Sequence, residues 1–448
     1  MNRHERRAAE KLIRSGNPKN LSGLLNSAIQ AHQSGRLEEA ESVYRLVLQA
    51  LPQQPDACHY LGVLLHQHGR SEEGIDYIMR ALSENPHYVD AQNNLGNVYK
   101  ETGDAAKAEQ AYRKVLALVP NHFEALNNLG IVLGDLEAFE EAEQSLKQAI
   151  RLQPNRADFL QNLGSAYFKK KDYSKSAEAY RKSITLKPNE AEAYHKLWRT
   201  LYIAKEFDEA VKVLRQWLEF DPDNPIALHT YAAHLGGELI PERASDAYVK
   251  ETFDNFAGSF DNVLARLDYR APGLVVDAVS RAVGAAQGQL NVLDVGCGTG
   301  LCGPLLRPYA RQLIGVDLSP KMLAKAEGRQ IYEALIEAEL VHYLEQNPNR
   351  FDLIVSADTL VYFGNLVPYA HAAHNALLSN GHLIFTVEKK LEGDGFSIGV
   401  HGRYCHAQDY VLNTLIEAGF QFVNIDEVHL RKETGEAVIG LLVSANLS

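Results

Sequence analysis

The amino-acid sequence predicts two folds in series: an α-helical solenoid, followed by an α/β domain built on a mostly parallel sheet. Three observations predict them. A proline recurs with a fixed period through the first half, short apolar runs alternate with helical stretches in the second half, and a glycine-rich turn follows the first of these runs. The chain has 448 residues, too many for one hydrophobic core.

The first half is a repeat with a period of 34 residues. Small residues and large apolar residues recur in fixed phases, which lets two helices of a repeat approach closely while the large side chains fill the space between them. The recurring residues are Pro52, Pro86, Pro120, Pro154, Pro188 and Pro222; Leu61, Leu95, Leu129, Leu163 and Leu197; and Gly62, Gly96, Gly130 and Gly164. One repeat cannot bury its apolar face alone, so we expect the repeats to stack.

Residues 21–234 resemble tetratricopeptide repeats, with six repeats and a partial seventh helix. The resemblance implies a superhelix, and it places Asn94, Asn128 and Asn162 on the inner face. A similar asparagine ladder in O-linked N-acetylglucosamine transferase holds protein substrates, and an amide can pair with a peptide backbone. We therefore expect these residues to bind a protein or peptide substrate. The alternative is that they satisfy buried helix groups or face water.

The sequence divides into four segments. Residues 1–20 form a charged lead-in, residues 21–234 the repeat array, residues 235–250 a linker with Gly236-Gly237 and Pro241, and residues 251–448 the α/β domain. At the start of the last segment, aromatic residues recur three or four apart from Tyr248 to Phe260. This stripe predicts an amphipathic packing face.

Composition excludes several classes of protein. The formal net charge of -12 argues against a large nucleic-acid footprint. No apolar run is long enough to cross a membrane, and the charged start is unlike a signal peptide. The four cysteines are scattered, so we expect no metal site and no disulfide framework, and we predict a cytoplasmic protein.

The glycine-rich turn predicts a ligand site. It runs from Gly296 through Gly298 to Gly300, directly after the apolar run Val292–Val295, and glycines there allow a ligand to lie against the main chain. Gly298, Gly300 and Gly303 also fit a nicotinamide-binding pattern, GxGxxG. However, Asp294 precedes the turn, and Asp317 ends the next strand. Asp317 follows Gly296 by about 20 residues, the usual span to an acidic residue that binds the cofactor ribose, and it would accept hydrogen bonds from both ribose hydroxyls.

The string from Asp317 through Leu318 to Met322 resembles the DxSxxML motif of class I S-adenosylmethionine-dependent methyltransferases. The resemblance implies a Rossmann-like, seven-stranded sheet whose last strand is antiparallel, and S-adenosyl-L-methionine as the cofactor, without a metal. The family has aspartate where this chain has Glu339. The cofactor-binding residues implied are Asp294, Gly296, Cys297, Gly298, Gly300, Asp317, Leu318, Met322, Glu339, Leu340 and Asp358. Arg403 to His406 match the Arg-Tyr-x-His string of bacterial methyltransferases that carry N-terminal tetratricopeptide repeats.

Catalytic candidates lie at the ends of later strands, where open α/β sheets bind ligands. This rule nominates Asp358, Tyr362 and Glu388, together with the loop from Arg403 to His406. His406 is a candidate general base, and the alternative is that it caps the next helix. Arg403 would bind a carboxylate substrate, or it pairs with Glu388 or Asp358.

Three functions fit these residues. The first is methyl transfer to a protein or peptide held by the repeats. The second is methyl transfer to a small acid, a carrier-bound acyl group or a quinone precursor, with the repeats serving localisation or homo-oligomerisation. The third is a scaffold that binds the cofactor without turnover.

Overall fold

The computed structural model describes residues 18–235, 240–399, 401–433 and 435–447. The chain forms two compact units, the first ending at Val213 and the second beginning at Leu214. The predicted boundary at residues 235–250 lies further along the chain, so helix Pro225–Leu235, which continues the repeat pattern, belongs to the second unit.

Helices follow one another in antiparallel pairs through the repeat region, and from α2 onward the start of each helix recurs 34 residues later. The helices are α1 Pro18–Gln33, α2 Leu37–Ala50, α3 Pro55–Gln67, α4 Ser71–Glu84, α5 Val89–Glu101, α6 Ala105–Leu118, α7 Phe123–Asp135, α8 Phe139–Leu152, α9 Ala157–Lys169, α10 Tyr173–Leu186, α11 Ala191–Ile203, α12 Phe207–Phe220 and α13 Pro225–Leu235. The predicted α-helical solenoid is confirmed.

The repeating glycines lie where the two helices of a pair touch. A Cβ atom on Gly96 would lie 2.6 Å from the Tyr112 ring, and one on Gly164 would lie 2.7 Å from the Tyr180 ring. Both tyrosine rings are buried. A methyl group at either glycine would therefore force the pair of helices apart.

The turn inside each pair has one residue in the left-handed region. The residues are Gly35, Gly69 and Gly103, followed by Glu137, Lys171 and Lys205 at the same phase. Their φ angles lie between 61° and 84°. The turn geometry is thus constant along the array although the residue that adopts it changes.

The α/β domain begins with helices and continues with a sheet that has helices on both faces. Its helices are α14 Asp246–Phe256, α15 Phe260–Arg266, α16 Ala271–Val283, α17 Gly303–Leu306, α18 Pro320–Glu327, α19 Leu340–Glu345, α20 Val367–Ala376 and α21 Gln408–Glu417, with a 3₁₀ turn at Leu360–Tyr362. Its strands are β1 Leu290–Val295, β2 Ala310–Asp317, β3 Ala334–Glu337, β4 Phe351–Ser356, β5 Leu377–Lys389, β6 Phe396–Ile398, β7 Tyr404–His406, β8 Phe422–Glu433 and β9 Glu436–Asn446.

The strand order confirms the predicted mostly parallel sheet. Strands β3, β2, β1, β4 and β5 are parallel in that order, β9 pairs antiparallel with β5, and β8 pairs with β9. These are the seven expected strands. The short strands β6 and β7 add a hairpin at the carboxyl end of β5, so Tyr404–His406 is a strand rather than a loop.

The sheet is buried between two hydrophobic cores. On one face, helices α19, α20 and α21 pack side chains such as Leu344, Tyr369 and Leu415 against the strands. On the other face, Val275 and Val279 of α16 pack with Leu306. Both faces of the central strands are therefore apolar, as in parallel sheets generally.

Within the described part of the chain, no helix has the length and apolar character required to span a membrane.

Candidate active site

A cavity of about 380 Å³ opens at the carboxyl ends of β1, β2 and β4. Its lining includes eight of the candidate cofactor-binding, catalytic and substrate-binding residues: Gly296, Gly298, Asp317, Leu318, Leu340, Asp358, Tyr362 and Arg403. This is the edge of the sheet at which a ligand is expected in an open α/β fold.

The turn after β1 is shaped by the close approach of Thr359. Gly296 has a φ of 69°, and a Cβ atom on it would lie 2.2 Å from Thr359 Cγ2. Gly298 has a φ of 54°, and its N–H donates to Asp317 Oδ2 at 2.9 Å. Glycine at position 296 is therefore required by both backbone conformation and space.

Asp317 is fixed at the cavity wall. Its Oδ1 accepts a hydrogen bond from the Ser319 N–H at 2.8 Å, and its Oδ2 accepts one from Gly298. Burial raises the pKa of Asp317, and these backbone N–H groups oppose the rise. The carboxylate is thus oriented, and each oxygen can accept a further bond from a ligand.

Asp294 lies behind the turn rather than in the cavity wall. It is 1% exposed, and its Oδ2 accepts a hydrogen bond from the Tyr332 hydroxyl at 2.7 Å. Burial raises the pKa of Asp294 to about 7. Tyr332 comes from the segment before β3, and no sequence pattern indicated it.

Glu339 is the N-cap of α19, where its Oε2 accepts from the His342 N–H at 2.8 Å. Its Oε1 is buried and has no hydrogen-bond partner among the described residues, and Glu339 itself does not line the cavity. The adjacent Leu340 lines the cavity, whereas Met322 is buried in α18. Cys297 and Gly300 belong to the turn but do not line the cavity.

The aromatic segment of α14 and α15 covers the cavity. Phe253, Phe256 and Phe260 line it. Two aspartates tie this segment to the loops that follow β2 and β1: Asp254 accepts from the Ser319 hydroxyl at 2.6 Å, and Asp261 accepts from the Thr299 hydroxyl at 2.5 Å. Asp261 also forms an ion pair with Arg329 at 2.6 Å.

A cluster of charged side chains forms another part of the cavity wall. Arg431 is 3% exposed and donates two hydrogen bonds from Nη1 to Asp358, at 2.8 and 2.6 Å. It also pairs with Glu388 and, at 2.7 Å, with Glu433. Burial raises the pKa of Asp358 to about 6, against the pull of Arg431. Asp358 has a φ of 59°, an uncommon conformation for a residue other than glycine.

Arg403 joins the same cluster. Its Nε donates to Glu388 at 2.7 Å, and its Nη2 donates to both carboxylate oxygens of Glu433, at 2.7 and 2.6 Å. The sequence allowed Arg403 either to bind a carboxylate substrate or to pair with Glu388 or Asp358. In the structure Arg403 forms an ion pair with Glu388. Arg431 and Glu433 lie on β8, and sequence analysis missed both.

His406 is fully buried on β7 and does not line the cavity. Its Nε2 bonds the Gly364 carbonyl at 3.1 Å, and burial lowers its pKa to about 4. The N-cap of α21 is Ala407, so His406 does not cap that helix. The histidine that reaches the cavity is His401, whose pKa is also lowered by burial.

Helix α13 contacts the loop that carries His401 and Arg403. His229 Nε2 bonds the Gly402 carbonyl at 2.8 Å, and its ring centre lies 3.9 Å from that of Tyr248. Gly402 has a φ of 80°, and a Cβ atom there would lie 2.8 Å from the Tyr248 hydroxyl. This contact positions part of the cavity wall.

The three predicted substrate-binding asparagines lie in the first unit, on α5, α7 and α9, and their amide nitrogens donate to neighbouring repeats. Asn94 bonds His59 at 2.8 Å, Asn128 bonds Asn97 at 3.0 Å, and Asn162 bonds Asn127 at 2.9 Å. The amides thus join successive repeats, and their role toward a substrate stays a prediction.

The fold and the cavity define an α/β domain with a candidate ligand site at the carboxyl edge of its sheet, preceded along the chain by a helical repeat. Residues 293–385 match a family model described as a methyltransferase domain, and residues 87–155 and 127–191 match two models described as tetratricopeptide repeats. The chain therefore combines tetratricopeptide repeats with a methyltransferase domain.

Curated relatives resemble parts of the chain. Methyltransferase-like protein 27 of Homo sapiens is 43% identical over 84 residues, 18% of this chain and 34% of that protein. The biotin biosynthesis bifunctional protein BioHC of Saccharophagus degradans is 27% identical over 147 residues, 32% of this chain and 25% of that protein. The malonyl-[acyl-carrier protein] O-methyltransferase of Acetivibrio thermocellus is 32% identical over 105 residues, 22% of this chain and 36% of that protein. The chain thus spans only about a quarter to a third of the length of these relatives.

Among solved structures, one of Pseudomonas aeruginosa pilF is similar to part of the chain. The alignment covers 45% of this chain and 92% of the pilF chain, with a TM-score of 0.40 and 18% sequence identity.

Proposed function

We propose that this chain transfers a methyl group from S-adenosylmethionine to a protein or peptide held by the repeat array. The observation that carries the cofactor assignment is the Asp317 carboxylate, which is fixed on the cavity wall next to the glycine turn. When bound, the cofactor supplies a methyl group activated by a sulfonium. The methyltransferase-domain match supports the same reaction.

The residues present fit a nucleoside cofactor. Asp317 would accept hydrogen bonds from the ribose hydroxyls, each contributing on the order of 1.5–3 kcal/mol. The adenine would lie beside the apolar side chains of Leu318 and Leu340. The aromatic side chains of α14 and α15 would exclude water.

Replacing Asp317 with Ala tests the cofactor assignment. We expect cofactor affinity measured by calorimetry to fall about tenfold to a hundredfold for each charge-assisted bond that is lost. Asp426→Ala is the matched control, because Asp426 is exposed on β8 and lies outside the cavity. Unchanged affinity in Asp317→Ala would contradict the cofactor assignment.

The asparagines test the role of the repeats. We expect the triple variant Asn94→Ala, Asn128→Ala and Asn162→Ala to reduce labelling of protein bands in a cell extract supplied with methyl-labelled cofactor. Cofactor affinity should not change. The matched control replaces Asn121, Asn155 and Asn189, which have the same spacing and are exposed in turns. Thermal unfolding of both variants separates lost binding from lost stability, because the substituted amides also join repeats.

A second candidate is methylation of a small acid or a carrier-bound acyl group. It is supported by the relative named malonyl-[acyl-carrier protein] O-methyltransferase. In that case the extract should yield labelled small molecules or a labelled acyl carrier, and the asparagine variant should have full activity. Cofactor binding without any transfer would support the third candidate, a non-catalytic scaffold.

A further inference from the structure

The charged side chains of the cavity wall pair with one another. Arg431 directs its three nitrogens to Asp358, Glu388 and Glu433. Arg403 directs Nε and Nη2 to Glu388 and Glu433. These bonds engage all three nitrogens of Arg431 and two of the three nitrogens of Arg403 with internal carboxylates, so Arg431 has no free two-pronged face for a substrate carboxylate and Arg403 has one only in part.

The cluster also carries a negative surplus. Three carboxylates face two guanidiniums, so its formal charge is -1 with His401 neutral. Arg431 and Glu388 are buried, and water therefore screens this charge poorly. A carboxylate acceptor placed beside it would be repelled, whereas an acceptor that gains positive charge would be stabilised.

Aromatic rings form the neighbouring wall. Tyr248, Phe253 and Tyr362 line the cavity, and their rings contact one another, with Phe253 and Tyr362 centres 5.4 Å apart at 85°. The faces of aromatic rings attract cations. These aromatic rings and the carboxylates of the charged cluster together favour a methyl acceptor that is basic.

We propose that the methyl acceptor is an amine nitrogen, such as a lysine side chain or a peptide amino group, rather than a carboxylate. This proposal rests on the proposed methyl transfer. The neutral amine attacks the methyl carbon, the carbon–sulfur bond breaks with its electron pair staying on sulfur, and the nitrogen then releases one proton to solvent. Positive charge develops on the nitrogen as the bond forms, beside the carboxylate surplus.

The chemistry of the product tests the proposal. The full chain is incubated with methyl-labelled cofactor and a desalted cell extract, and the labelled products are treated with mild alkali. An N-methyl group survives this treatment, and hydrolysis should then release N-methylated amines. Volatile labelled methanol would reveal a methyl ester and overturn the amine proposal while leaving methyl transfer intact. Label that survives alkali on carbon or a hydroxyl oxygen would overturn it as well. An absence of transfer with the cofactor bound would overturn both proposals.

The substitution Glu433→Gln provides an independent test, because it should lower the rate of methyl transfer to an amine and raise the rate of transfer to a carboxylate. It removes the negative surplus, so kcat/KM toward the labelled acceptor should fall about three- to tenfold for an amine. An increase would indicate an anionic acceptor and overturn the proposal, and so would an unchanged value. Glu436→Gln is the control, because Glu436 is exposed on the same hairpin. Cofactor affinity and thermal unfolding, measured on both variants, show whether a fall in rate is instead a loss of fold.

Discussion

At the level of single residues, the carboxylates around the glycine turn have different surroundings. Asp317 faces the cavity with both oxygens held by N–H groups, whereas Asp294 is enclosed and holds the Tyr332 hydroxyl. Spacing along the chain places both at strand ends. It does not determine which one reaches the ligand, because this depends on the side chains packed around each.

Asp294 should make the second unit less stable as the pH rises. Its folded-state pKa of about 7 lies above its ordinary value of 3.8, so the folded protein binds the extra proton between these values. The contribution of Asp294 to the free energy of unfolding is therefore greatest below about pH 4, and it falls by about 2–4 kcal/mol as the pH rises through that window.

The substitution Asp294→Asn removes the ionisation and can still accept the Tyr332 hydrogen bond. We expect the free energy of unfolding near neutral pH to rise and its decrease with pH to weaken. Urea unfolding across the window measures both. Asp358, whose pKa is about 6, contributes in the same direction, so part of the dependence should stay. An undiminished pH dependence in the variant, equal to that of exposed Asp426→Asn, would contradict this account.

The site residues that sequence analysis missed share a physical cause. Arg431 and Glu433 reach the cavity because β8 pairs with β9, which pairs with β5, and the pairing register shifts between His429 and Arg431. Nothing local to Arg431 indicates that its partner is Asp358, 73 residues away. The His406 prediction had the related difficulty that β7 directs the side chain into the interior.

At the level of helices and strands, the period was predictable and the strand ends were less so. The 34-residue phase places every helix start from α2 to α13, because each repeat must present the same face to the next. The apolar run Val292–Val295 and the strand end at Asp317 located β1 and β2 correctly, whereas β5 includes the polar residues Ser379 and Asn380 and β8 continues to Glu433. Hydrogen bonding to neighbours extended these strands beyond their apolar segments.

The turns inside the helix pairs allow a test of backbone strain. Lys171 has a φ of 64° where an earlier repeat has Gly103 with a φ of 84°. We expect Lys171→Gly to stabilise the array by about 0.5–1 kcal/mol and Gly103→Ala to destabilise it by about 1 kcal/mol. A Cβ atom on Gly103 would meet nothing within 4 Å, so strain alone is tested. Urea unfolding of both variants measures the effects, and equal signs would contradict the explanation.

At the level of the whole chain, the last repeat helix belongs with the catalytic unit. Helix α13 continues the 34-residue phase, yet its His229 holds the loop at Gly402, and Pro241 accepts a bond from the Tyr404 hydroxyl at 2.8 Å. A domain boundary drawn from the repeat pattern alone would assign α13 to the repeat array and separate it from the second unit.

Two fragments test this assignment. A fragment beginning at residue 206 keeps α12 and α13, and we expect it to fold and bind the cofactor. A fragment beginning at residue 240 lacks His229, so we expect a lower melting temperature and a disturbed loop around Arg403. Differential scanning calorimetry and cofactor titration compare them. Equal stability and equal affinity would show that α13 is dispensable.

The place of α13 has a consequence for how such a protein can change over generations. Duplication or loss of one 34-residue segment upstream of Leu214 would lengthen or shorten the array and keep its phase. Every residue that shapes the cavity would stay as it was. Recognition and chemistry could then vary independently, with α13 inherited together with the enzyme.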